Sequence, residues 1–78
     1  MDLAIEREHL AQADRDIDAG ERRIAAQRLL LARLRRDGHE TGEAERLLLN
    51  FEQTLAMWKA HRDAILREIA RLEEAGRS

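Results

Sequence analysis

The chain has 78 residues, enough for one small domain, and 38% of them are charged against 44% apolar, with no proline and no cysteine. The net charge is only −2, and the apolar residues recur with a period, which excludes a disordered polyelectrolyte. Without thiols, disulfide staples and thiolate metal sites are excluded as well.

Residues 1–8 contain neither a basic start nor an uninterrupted apolar stretch, so no signal peptide is expected. From there Leu3, Leu10, Ile17, Ile24 and Leu31 follow one another at intervals of seven. That spacing keeps one side of an α-helix continuously apolar and matches a coiled-coil seam. A first helix is predicted over residues 2–37. Gly20 falls in its middle, where glycine costs about 1 kcal/mol against alanine; a local kink or a close crossing of another side chain would account for it. Ala4, Ala11, Ala25 and Ala32 add a line of small residues beside the seam.

Helix-breaking residues concentrate at 36–42. Gly38 follows a basic last turn (Arg33, Arg35, Arg36) and suits the left-handed conformation that closes a helix. His39 is then placed to bond the last free carbonyls. Thr41 suits a cap of the next helix, and Glu43 and Glu45 put negative charge at its positive end. The turn is therefore predicted at 38–41 and a second helix at 42–75, in a single domain spanning 1–78. Along the second helix Phe51, Trp58, Ile65 and Leu72 keep the same interval of seven, each preceded three residues earlier by Leu48, Leu55, Arg62 and Ile69. No apolar run approaches the length needed to cross a bilayer, and a cytoplasmic location is expected.

The fold class that follows is all-α, an antiparallel two-helix hairpin. Centring the reversal on Thr41 gives the layers Leu34/Leu48, Leu31/Phe51, Gln27/Leu55, Ile24/Trp58, Gly20/Arg62, Ile17/Ile65, Ala13/Ile69 and Leu10/Leu72. In that register the one large polar residue of the second seam, Arg62, lies across the one glycine of the first. Charge favours the same direction. Acids dominate residues 1–21 and arginines fill 22–36, so folding back sets acids near Arg62, Arg67, Arg71 and Arg77, and arginines near Glu40, Glu43, Glu45 and Glu52.

Two helices meeting along one seam bury too little to offset the ordering of the whole chain, at about 1.5 kcal/mol per residue. Leu29, Leu30, Leu47, Leu49 and Leu66 lie outside the seam, and Met57 sits beside it. These leucines are the expected oligomer interface, and the simplest closure is a homodimer forming a four-helix bundle. A hairpin completed by a different helical protein is the other closure.

No constellation for catalysis is present. His9, His39 and His61 have no i, i+4 partner of a helical metal site, with His61 expected near Glu21 and far from His9. Asp14, Asp16 and Asp18 alternate and so spread around the helix. Gly38 and Gly42 bracket a short acidic turn unsuited to phosphate. No enzyme, cofactor or metal is expected. Phe51 and Trp58, on the seam, read as core rather than as a ligand platform. The arginine block Arg22, Arg23, Arg28, Arg33, Arg35 and Arg36 has two readings. It is a helix end matched to its dipole and to the glutamates opposite, or a phosphate-holding surface of a small nucleic-acid-binding regulator.

The stretch Arg36-Asp37-Gly38-His39-Glu40-Thr41-Gly42-Glu43-Ala44-Glu45-Arg46-Leu47-Leu48 resembles the turn of short bacterial proteins built as one helical hairpin, a group that implies no activity. In architecture alone the chain is similar to the small plasmid copy-control protein that dimerises into a four-helix bundle and binds paired RNA loops. Fold by itself carries no function.

Overall fold

The structure, a computed structural model, describes residues 2–77. Two helices form an antiparallel hairpin: α1 (Leu3–Arg36) and α2 (Gly42–Arg77). The result is a rod of 63 × 15 × 13 Å, the length expected for helices of this size at about 1.5 Å per residue. The predicted helices are both present, the second running two residues past its expected end.

Both ends of α1 are closed by local chemistry. Asp2 caps α1 through its side chain, which accepts a hydrogen bond from the Ala4 backbone N–H at 2.9 Å. At the other end Gly38 takes φ +74°, the conformation that a side chain with a Cβ avoids. The Gly38 N–H then bonds the Arg35 carbonyl and the His39 N–H bonds that of Leu34, the two-bond pattern of a Schellman closure. His39 thus does bond a free carbonyl, by its backbone N–H. Thr41 precedes α2, but its bond is also made by the backbone, its carbonyl accepting from the Glu45 N–H at 2.8 Å; no capping bond from its hydroxyl is formed.

Burial follows the seams. Ala13, Ile24, Leu31, Ile65 and Ile69 are the buried apolar residues, and Ala13, Ile65 and Ile69 form a cluster backed by Leu3 and Leu10. α1 is the better-covered helix; on α2 only Ile65 and Ile69 are buried, while Leu48, Phe51, Leu55 and Trp58 are half-buried. Two polar residues are buried in the seam. Gln27 is satisfied by donating to the Ala44 carbonyl at 3.0 Å. Glu6 is 3% exposed, and its Oε1 has no hydrogen-bond partner.

The register differs from the one centred on Thr41. Gly20 does not face Arg62. A Cβ at Gly20 would stand 3.1 Å from Trp58 Cζ3 and 3.3 Å from Leu55 Cδ1, so α2 is displaced by between one and two helical turns. Arg62 instead pairs with Asp14, and Gln27 reaches Ala44 rather than Leu55. The reversal is centred nearer Gly38 than Thr41. The reason is that a seven-residue repeat matches itself again after a slip of one heptad, so apolar pairing alone leaves the register degenerate. What breaks the tie is shape: the indole of Trp58 needs the space that Gly20 leaves by having no Cβ. Gly20 is therefore the site of a close crossing, and α1 runs through it unbroken.

Crosslinking reads this register directly. Cysteines at Gly20 and Leu55 should form an intrachain disulfide, since bridged Cα atoms must lie within about 7 Å. Cysteines at Gln27 and Leu55 should not. The opposite result, seen by mobility on non-reducing gels, would restore the register centred on Thr41.

Candidate interaction surface

The heptad spacing gives each helix one row of residues on either side of the seam, and the two sides differ in kind. On the first flank run Arg7, Asp14, Glu21, Arg28 and Arg35 of α1, and Glu45, Glu52, Lys59, Leu66 and Glu73 of α2. Four pairs bridge these rows: Arg7–Glu73 at 3.5 Å, Glu21–Lys59 at 3.6 Å, Arg28–Glu52 at 3.6 Å and Arg35–Glu45 at 2.8 Å. Leu66 is the one apolar member. Asp14 belongs to the facing row and takes Arg62 from the adjoining seam position instead. Every ion pair between the helices among the described residues is on this flank. Singly such exposed pairs contribute only about 0.2–1 kcal/mol, but as a set they fix which sides of the helices face each other. The open groove of about 380 Å³ on this flank is walled by Glu21, Arg28, Glu52 and Lys59. Those charges already neutralise one another.

The second flank carries His9, Asp16, Arg23 and Leu30 on α1, and Leu47, Thr54, His61 and Glu68 on α2. No ion pair crosses it among the described residues. The Arg23 guanidinium lies over the Phe51 ring, 5.6 Å from its centroid, a cation–π contact. Gly20, Arg23, Phe51, Thr54 and Trp58 line a shallow depression here. Phe51 and Trp58 are thus half-buried seam residues whose uncovered edges lie on this flank. Further along, His9 and His61 line one shallow depression with Gln12 and Asp16. The displaced register brings the two histidines together, correcting their expected separation. His9 Nδ1 is also 3.5 Å from Glu6 Oε1. No group of three His, Cys, Asp or Glu among the described residues is placed to hold a metal ion.

The five leucines expected to form an oligomer interface are all exposed: Leu29 52%, Leu30 45%, Leu47 43%, Leu49 56% and Leu66 38%. They do not make one patch. Leu30 and Leu47 share the second flank near the turn, Leu66 lies on the ion-paired flank, and Leu29 and Leu49 point outward from their helices. Ile5 and Met57 are exposed too. Sequence reasoning noted Met57 beside the seam. It missed that the spacing by seven from Arg7 and from Glu45 gathers the cross-helix charges onto one side.

The arginine block is dispersed around α1. Arg22 pairs with Asp18 at 2.8 Å and Arg36 with Asp37 at 3.1 Å; Arg23 stacks on Phe51, and Arg28 and Arg35 pair with glutamates of α2. Only Arg33 of the six has a guanidinium without a partner. At the far end, a hydrogen bond from Arg71 holds the Glu68 carboxyl below its usual value, and the same contact raises Arg71.

No helix among the described residues is long and apolar enough to cross a membrane. No protein-family model, curated protein or solved structure matches the chain.

Proposed function

We propose that the chain is a non-enzymatic helical interaction module that associates with itself, its hairpin supplying half of a four-helix bundle. One observation carries this reading. Among the described residues only five apolar side chains are buried, while seven large ones are exposed. Scattered exposed leucines are ordinary on a protein surface, but an excess over the core is what a hairpin shows when its second layer is another pair of helices. The resemblance of the turn to other helical-hairpin proteins is compatible with this use. A nucleic-acid-binding role for the arginine block has less support, because five of its six side chains are engaged within the chain and the six are spread over more than one face.

Sedimentation equilibrium at micromolar concentration should give a mass of two chains. Changing Leu30 and Leu47 together to glutamate should lower the mass and the helicity in step, since each half depends on the other. A folded, monodisperse monomer of the unmodified chain would overturn the reading.

A further inference from the structure

The flank without ion pairs is also nearly without charge. Along α1 it runs from Asp16 to Arg33 through Ala19, Ala26 and Leu30, and Arg23 is the only charged side chain between those ends. Its guanidinium is laid over Phe51. Along α2, between Glu43 and His61, the same flank shows Leu47, Asn50, Phe51, Thr54, Met57 and Trp58. In a chain that is 38% charged, a strip this long with one cation is a departure from the rest of the surface. At its turn end stand Arg33 and Glu43, opposite in sign, and neither side chain has an ion-pair partner.

We infer that this strip takes a second copy of the chain across a twofold axis parallel to the rods, so that both turns lie at the same end of the assembly. This rests on the self-association proposed above and adds its face and its orientation. Two arguments choose a second copy as occupant. The first is area. The chain exposes 5870 Å², whereas a compact monomer of 9.0 kDa exposes about 4,900 Å². The excess of about 1,000 Å² is close to the roughly 800 Å² per partner of a standard interface. The second is charge. With turns together, α1 lies over α2 of the second copy, so Leu30 meets Leu47 and Arg33 meets Glu43 of that copy. Both unpartnered charges are then matched by the same operation that joins the leucines. With turns apart, each helix lies over its own counterpart. Leu30 and Leu47 separate, and the match of Arg33 with Glu43 is lost with them.

The chain has no cysteine, so a spin label on His39→Cys reports the turn alone, and it replaces an exposed side chain that makes no hydrogen bond or ion pair. In the dimer, labels at about 20–30 Å are expected, since only the width of packed helices separates the turns. Labels more than about 40 Å apart, the separation that 1.5 Å per residue gives with turns at opposite ends, would overturn the orientation while leaving self-association standing. A monomeric mass with no dipolar signal would overturn both. The face is read separately by Met57→Glu, which should weaken the dimer about 100-fold or more as a buried contact turned charged. Leu66→Glu on the ion-paired flank should leave dimerisation unchanged, and the reverse ranking of these two variants would overturn the choice of flank.

Discussion

Ile65→Ala is expected to destabilise the hairpin by about 2–4 kcal/mol, the range for removing buried aliphatic side chains. Ile65 is 5% exposed and joins Ala13 and Ile69 in the cluster that Leu3 and Leu10 back. With so few buried apolar groups, no neighbouring layer can take over its contacts. Small domains retain only about 5–15 kcal/mol in total, and this chain lies at the lower end of that size range, so the loss should be visible as a broad, low-temperature melt in circular dichroism. Leu66→Ala, next along the chain but on the exposed rim, should move the midpoint by less than a quarter as much. The two must be compared at one protein concentration, because association shifts apparent stability by mass action. Equal effects would show that burial in the seam is not what holds the helices.

The second large effect is at Gly20. Valine there should destabilise by about 1–3 kcal/mol, the usual cost of overpacking, because its branches begin from a Cβ already 3.1 Å from the Trp58 ring. Alanine is the more revealing change. In an open helix it would gain about 1 kcal/mol over glycine; here that gain is opposed by contact with Trp58 and Leu55. In a Trp58→Leu background the ring's share of the obstruction is removed while Leu55 Cδ1 remains 3.3 Å away, and Gly20→Ala should then be more favourable than in the parent chain. A double-mutant cycle in urea denaturation measures the coupling, which contacting residues show at about 0.5–3 kcal/mol. Additivity would mean that Gly20 and Trp58 are not in contact and that the register has been misassigned.

That cycle bears on what the amino-acid pattern could reveal. The existence, type and direction of the helices were legible, because the apolar interval of seven from Leu3 to Leu31 and from Phe51 to Leu72 admits one secondary structure. The turn was legible too, because Gly38 after a basic last turn has a specific backbone reason. The register was not. Each seam repeats every seven residues, so Ile24 finds an apolar mate in Phe51 as readily as in Trp58. Matching Gly20 to Arg62 was reasonable on size, but a ring needs that gap more than a flexible stem does. The exposed leucines were legible as surplus to the seam. Their distribution over three sides was not, since it follows from which rows the ion pairs occupy. The quiet flank escaped notice because alanine, threonine and asparagine mark it by the absence of charge rather than by any motif.

The position of the best-packed cluster has a consequence for how the hairpin assembles and breathes. Ala13, Ile65 and Ile69 lie at the open end of the rod, well away from the Schellman turn. Ala13 and Ile65 are about fifty residues apart in sequence, and closing so long a loop directly is entropically unfavourable. Zipping from the turn shortens that search, and of the residues met first Leu31, Gln27 and Ile24 of α1 are buried while Leu48 and Phe51 of α2 are half covered. Amides near Ala13 and Ile69 should be among the slowest to exchange with solvent, while the half-covered stretch of α2 next to the turn should open sooner, leaving the side that bears Leu47 and Phe51 the readier to adapt to whatever lies against it.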